Sequence, residues 1–380
     1  MDANKLINCG TESAVAHEGY RSTGYKMISD IEIRNYKCFE HLKIENCRRI
    51  NIIVGDNGAG KTALLEAVFF ALAGNAQIGL RNRQYRGFDG AFSGSARAIE
   101  DAMWGDLFHN FNTNKPISVI LSGKGPEARS LFISKGQANT LISLENIDAK
   151  SARSNFRFIW KDHAGNEFDG SPSFAAGAAI SFPAEREHLP DFFYFSSTSI
   201  GGATENAGRF SELSKARRQR QFVELFVKEY PWIEDLSIEV VAGQPVIHAT
   251  LHDMQEKIPL NNISSGINRL LSILLVMASH PRSVVFVDEI ENGLYHKHQQ
   301  SFWRWLLSFA STSDSQLFLS THSNEWMSAL IAVSDGDVLQ NIALWRLERN
   351  EKGQPELFQF SGDDLKAGIE YGAELRGGSE

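Results

Sequence analysis

An α/β fold, with a sheet core carrying a glycine-rich loop, an antiparallel β subdomain and a helical subdomain, is predicted by three observations. The first is the apolar run Ile50–Val54, followed by Gly55-Asp56-Asn57-Gly58-Ala59-Gly60-Lys61-Thr62 and then by a helical pattern in Ala63, Leu64, Leu65, Ala67, Val68 and Leu72. Strand, glycine-rich loop and helix in that order form a cradle for phosphate groups. The second is a pair of apolar runs late in the chain, Val284–Val287 and Leu317–Leu319, each short enough for a buried strand and each ending in polar residues. The third lies in residues 117–169, where runs of β-forming residues (Ile117–Leu121, Ser130–Ile133, Thr140–Leu144, Phe156–Trp160) are separated by polar or glycine-bearing turns. That spacing predicts an antiparallel meander.

In chain order, residues 1–26 are polar and weakly periodic, and they read as a flexible N-terminal leader. Residues 27–380 read as one domain with four parts: 27–75, 76–255, 256–350 and a tail at 351–380. The first part begins with two strands joined through the Asn35–Glu40 region. Arg81, Arg83 and Arg86 fall in a loop or helix–loop insertion, and a short helix bearing Trp104, Leu107 and Phe108 follows. A loop over Gly170–Pro183 leads to the strand Phe192–Phe195. Residues 205–229 read as one amphipathic helix with Phe210, Leu213, Phe222, Val223 and Phe226 inward and Lys215, Arg217, Arg218 and Arg220 outward. Strands follow at about 236–242 and 246–252. The tail offers two strands, Ile342–Leu347 and Glu356–Phe360, and a short helix.

The net charge of −8 means that any contact with nucleic acid needs a local basic patch such as the one on this helix. Three cysteines (Cys9, Cys38, Cys47) form neither a disulfide framework nor a zinc spacing, so a reducing, cytoplasmic setting is expected. No apolar run reaches the ~18 residues of a membrane helix.

The loop residues Gly55, Asp56, Asn57, Gly58, Ala59 and Gly60 turn backbone N–H groups toward an anion, and the helix N-terminus adds positive potential. Lys61 can reach the β- and γ-phosphates of ATP, and Thr62 can offer a hydroxyl to Mg²⁺. Asp288-Glu289 ends a buried strand, where an α/β sheet places catalytic groups. Asp288 suits the Mg²⁺ shell, and Glu289 suits the task of polarising an attacking water. Ser264-Ser265-Gly266, ahead of the apolar helix Leu270–Ala278, forms a second anion-binding N-terminus. His322, at the end of the Leu317–Thr321 strand, can reach the γ-phosphate.

These four stretches, GDNGAGKT, ISSGINR, VVFVDEIENGLYH and LFLSTHSNE, resemble in kind and order the Walker A, signature, Walker B with D-loop, and switch-histidine elements of ABC-class ATPases. The resemblance is nearest to the soluble branch containing RecF and SMC heads and OLD-type ATPases. Asp288–Gly293 and Thr321-His322-Ser323 look most like its AAA15 subgroup. Ile31–Phe39 is similar to the group's first strand. The resemblance implies an ABC-ATPase head that hydrolyses ATP with Mg²⁺, with Ser264, Ser265 and Gly266 acting on nucleotide held by the partner of a homodimer or higher homo-oligomer. It also implies a sensor or regulatory subunit that controls a separate effector, a nuclease or toxin, in anti-phage defence. A RecF-like DNA-binding clamp is the alternative. Ser265 stands where the transporter signature has glycine, and Ile267 where it has glutamine. The candidates for a Q-loop glutamine are Gln84 and Gln137.

Overall fold

The computed structural model describes residues 27–85, 96–136, 152–174, 180–184, 189–198, 201–294 and 298–370. The expected leader, the strand at Thr140–Leu144, Arg86 and Gln137 lie outside them.

The central sheet has six strands in the order Phe192–Phe195, Val284–Val287, Gln316–Ser320, Ile50–Gly55, Ile342–Arg349 and Pro355–Ser361. The first five pair in parallel and the last is antiparallel. The loop-bearing strand is thus internal, flanked by the late strand that precedes His322 and by the first strand of the tail. Successive side chains of a strand point to opposite faces, and the burial follows this alternation. Ile53, Val284, Phe286, Phe318, Trp345 and Leu347 belong to one apolar core, whereas Ile52, Val54, Val285, Val287, Leu317, Leu319 and Leu344 belong to another.

The first core is closed by an antiparallel sheet. Its strands run Phe39–Ile44, Ile28–Tyr36, Ile117–Gly123, Arg129–Lys135, Phe156–Lys161 and Glu167–Asp169. The expected meander is present, but the chain's first hairpin is part of the same sheet. Between the two sheets lies the helix Lys61–Leu72, of which every residue except Thr62 is buried. Phe69 packs on Phe192, Tyr194 and Phe286 of the central sheet, with ring centroids 5.2, 5.1 and 5.8 Å away. Phe70 faces the opposite way, onto Phe158 and Trp160 at 6.0 and 6.3 Å. A helix that is apolar all round is one packed on more than one side. Gln316, fully buried, ties the sheets together: its amide accepts from the Ile28 N–H at 3.0 Å and donates to the Ile28 and Arg48 carbonyls at 2.9 Å each.

The second core is closed by helices, among them Ala203–Lys215, Ser265–Ser279, Gln299–Thr312 and Asn324–Val333. The single helix expected over 205–229 is two, Ala203–Lys215 and Gln219–Glu229. No glycine or proline marks the break, which is why the sequence reads as continuous, although residues 214–221 carry no large apolar side chain. The chain turns instead at Arg217, which takes φ +59°, and Arg218 donates to the Ala278 carbonyl at 2.8 Å. The expected arginine-rich loop near residue 80 is partly the helix Ile78–Tyr85, in which Arg83 is bound to the Met103 carbonyl and to Asp106. The strands Ile233–Val241, Gln244–Leu251 and Ile258–Pro259 form a small antiparallel sheet ahead of the second lobe.

Candidate active site

The carboxyl ends of three adjacent parallel strands converge. From Ile50–Gly55 comes the loop and Lys61; from Val284–Val287 come Asp288 and Glu289; from Gln316–Ser320 come Thr321 and His322. Gly55 has φ +141°, and a Cβ on it would stand 2.1 Å from the Leu347 carbonyl oxygen of the neighbouring strand. Only glycine fits there, because the loop must leave the sheet directly over an adjacent backbone. Lys61 Nζ donates to the Gly55 and Asp56 carbonyls at 2.6 and 3.0 Å, so its ammonium stands across the loop. Burial lowers the Lys61 pKa, opposed by Asp288 and Glu289.

Asp288 is 4% exposed, and each of its oxygens has a hydroxyl donor. Thr62 Oγ1 donates to Oδ2 at 2.9 Å, and Ser320 Oγ donates to Oδ1 at 2.5 Å. Burial raises the Asp288 pKa despite these two bonds. An aspartate carboxylate and a threonine hydroxyl within hydrogen-bond reach are the hard oxygen donors that Mg²⁺ takes, so these residues fit that ion.

Glu289 adopts a left-handed backbone, φ +50°. Its N–H donates to Ser320 Oγ at 2.8 Å, and its carboxylate accepts from Asn292 Nδ2 at 2.7 Å. His322 meets Glu291: the ring Nδ1 and the backbone N–H each lie 2.8 Å from Glu291 Oε1.

The signature stretch is built as an N-terminus. Ser264 caps the helix Ser265–Ser279, its hydroxyl accepting from the Ile267 N–H at 3.4 Å. A Cβ on Gly266 would lie 1.7 Å from the Gly293 carbonyl oxygen, so this helix presses directly on the turn that follows the acid pair. Among the described residues no hydrogen bond joins Ser264, Ser265 or Gly266 to the loop Gly55–Thr62. The structure brings Lys61, Thr62, Asp288 and Glu289 together, and it sets the N-terminus of the signature helix against the turn at Gly293.

Four groups at this site were not anticipated. Ser320 serves both acids. Arg269 lies in the first turns of the signature helix and is 4% exposed; it donates to the carbonyls of Ser197 (3.0 Å), Asp288 (2.6 Å) and Glu289 (3.3 Å). Lys37, partly exposed, forms an ion pair with the buried Glu66 on the loop's helix. Arg349 donates twice to the Gly58 carbonyl, at 2.7 and 3.1 Å, and so anchors the loop from the tail. Arg269, Ser320 and Lys37 lie inside the stretches ISSGINR, LFLSTHSNE and Ile31–Phe39, where the sequence assigns them no role, and nothing local marks Arg349. Of the two glutamine candidates, Gln84 lies in the helix Ile78–Tyr85. The strand beside the acid strand leads instead into Ser196-Ser197-Thr198, with Ser196 buried.

The chain is 22% identical over 352 residues to an ATP/GTP phosphatase of Helicobacter pylori, covering 86% of this chain and 94% of that protein. It is 40% identical over 57 residues to the DNA replication and repair protein RecF of Desulforudis audaxviator, which covers 15% of this chain and 16% of that protein. The SMC head domain from Thermotoga maritima aligns over 88% of this chain and 98% of its own, with a TM-score of 0.43 and 12% identity. A family model described as AAA domain, putative AbiEii toxin, Type IV TA system matches residues 50–328. The chain belongs to that family and is a P-loop ATPase.

Proposed function

We propose that the protein hydrolyses ATP at a site formed by Gly55–Thr62, Asp288 and Glu289, and that two subunits close on the nucleotide. The observation that carries this reading is the contact of Thr62 with Asp288, 2.9 Å apart, beside a lysine held across the loop. The loop N–H groups and Lys61 hold the β- and γ-phosphates. Thr62 and Asp288 hold Mg²⁺, which when bound neutralises charge building on the phosphate oxygens. Glu289 orients a water and takes its proton, and Asn292 aims its carboxylate. His322, steadied by Glu291, faces the γ-phosphate from the neighbouring strand end.

Ser264, Ser265 and Gly266 belong to the partner's nucleotide in this reading. A helix N-terminus flanked by serines offers an anion site, and among the described residues no hydrogen bond ties it to the loop of its own chain. ATP bound between two such faces stabilises the pair by mass action. We extend the proposal to a regulatory subunit that controls a separate effector, a nuclease or toxin, in anti-phage defence; the family description itself names a putative toxin and a Type IV toxin–antitoxin system. For a DNA clamp, the exposed Lys215 and Arg217 at the helix break offer only a small basic patch, since Arg218 is held by a carbonyl and Arg220 pairs with Glu224.

Sedimentation of the purified protein with and without ATP and Mg²⁺ tests the composite site. The expected result is a shift toward dimer with ATP that Ser264→Arg abolishes while nucleotide binding to the monomer persists. A mass unchanged by ATP would refute the paired reading.

A further inference from the structure

The general base proposed above occupies a backbone conformation that a glutamate does not adopt freely. The left-handed region costs an L-residue roughly 1–2 kcal/mol, and such a residue persists only where its surroundings over-determine it. At Glu289 the surroundings come from three elements. Ser320, on the adjacent strand, accepts the Glu289 N–H at 2.8 Å. Asn292, in the following turn, holds the carboxylate at 2.7 Å. The third is Arg269 on the signature helix, whose Nη2 donates to the carbonyls of the two peptide units that flank the Glu289 Cα, at 2.6 Å to Asp288 and 3.3 Å to Glu289. Its Nη1 donates at 3.0 Å to Ser197, whose carbonyl also accepts from Asn292 at 3.3 Å.

We infer that Arg269 is a positioning residue: its buried guanidinium locks Glu289 in the left-handed backbone and ties that carboxylate to the signature helix. Gly266 resting on Gly293 makes the tie short, because helix and turn touch backbone to backbone one turn before Arg269. A displacement of the helix N-terminus by nucleotide on a partner subunit therefore moves the carbonyl that sets the direction of Glu289. Each subunit's general base thus reports whether its own signature face is engaged. Lysine cannot replace arginine in this role, since its donors share one nitrogen and cannot stand at the separate positions of Nη1 and Nη2.

The inference rests on Glu289 being the general base, and a double-mutant cycle separates the two claims. ATP turnover and ATP affinity are measured for Arg269→Lys, Glu289→Gln, Asn292→Ala and the doubles with Glu289→Gln, with thermal melting as the check on folding. Arg269→Lys is expected to lower kcat about ten- to a hundredfold, the scale of a misaligned catalytic group, with nucleotide Kd within about twofold by the same reasoning. In the Glu289→Gln background the same substitution is expected to cost nothing further, because the group it aims is gone. If Arg269→Lys melts early, Asn292→Ala, which holds the same carboxylate from another element, carries the non-additivity test. Losses that multiply in the double variants, or a raised Kd with kcat unchanged, would overturn the inference alone. Wild-type turnover in Glu289→Gln would overturn the general-base reading and this inference with it.

Discussion

Replacing Gly266 by alanine adds one methyl group where there is no room for it. The new Cβ would stand 1.7 Å from the Gly293 carbonyl oxygen, 2.6 Å from its carbonyl carbon and 3.3 Å from the Leu294 nitrogen. Carbon atoms make their best contacts at about 3.5–4.0 Å, so helix and turn must part by roughly 1–2 Å. Both sides of this contact are backbone, which cannot swing aside as a side chain does. Forced overpacking of this kind typically costs about 1–3 kcal/mol. Gly208 provides the internal control. It lies in the helix Ala203–Lys215, and a Cβ there meets nothing within 4 Å. Alanine at that position should stabilise by about 0.5–1 kcal/mol through helix propensity. Urea unfolding of the two variants without nucleotide tests the pair, with Gly266→Ala shifting the midpoint down and Gly208→Ala up. A Gly266→Ala midpoint equal to wild type would refute the close packing of the signature helix on the turn.

Lys37→Met removes the cation facing Glu66, whose side chain is only 2% exposed. The pair is part-buried, so the loss in unfolding free energy should fall between about 1 kcal/mol for a surface bridge and about 3–5 kcal/mol for one partner of a fully buried pair; a loss below about 1 kcal/mol would place it with ordinary surface bridges. Asp288 has its pKa raised above 3.8 by burial, so the folded chain holds this proton more tightly than the unfolded chain does. Its contribution to stability is therefore fully present below that value and is lost as pH rises through the folded-state pKa. Asp288→Asn should melt progressively better relative to wild type as pH rises from about 4 to about 7, and the opposite trend would contradict the burial. Arg349→Ala removes both donors to the Gly58 carbonyl. It is expected to weaken ATP binding several-fold with kcat little changed, and an unchanged Kd would show that the loop needs no anchor from the tail.

What the sequence disclosed, and what it did not, follows from how local each cause is. Ile50–Thr62 was legible because strand, loop and helix are consecutive, and each part has its own residue chemistry. Asp288-Glu289 was legible because four apolar residues precede it and an α/β sheet puts such ends to use. The cap at Ser264 was equally local. Arg269, by contrast, reads as one more polar residue at the start of an apolar helix; only the fold brings the carbonyls of Ser197, Asp288 and Glu289 around it. Ser320 likewise reads as a strand end until the adjacent strand sets Asp288 against its hydroxyl. The break at Arg217 carries no glycine or proline, and its one local sign is the gap in the apolar spacing over residues 214–221; in the fold Arg218 bonds the Ala278 carbonyl there. The tail strand Ile342–Arg349 was expected as a strand, yet its place beside the loop-bearing strand is a matter of topology that spacing does not encode.

The central claim is that Glu289 activates water against ATP held by Gly55–Thr62. Steady-state phosphate release and direct nucleotide binding, measured together on wild type and Glu289→Gln, test it most directly. Removing a general base costs about 10²–10⁴-fold in rate, so the variant should bind ATP with wild-type affinity and release phosphate at least about a hundredfold more slowly. Equal turnover in the two proteins would contradict the account.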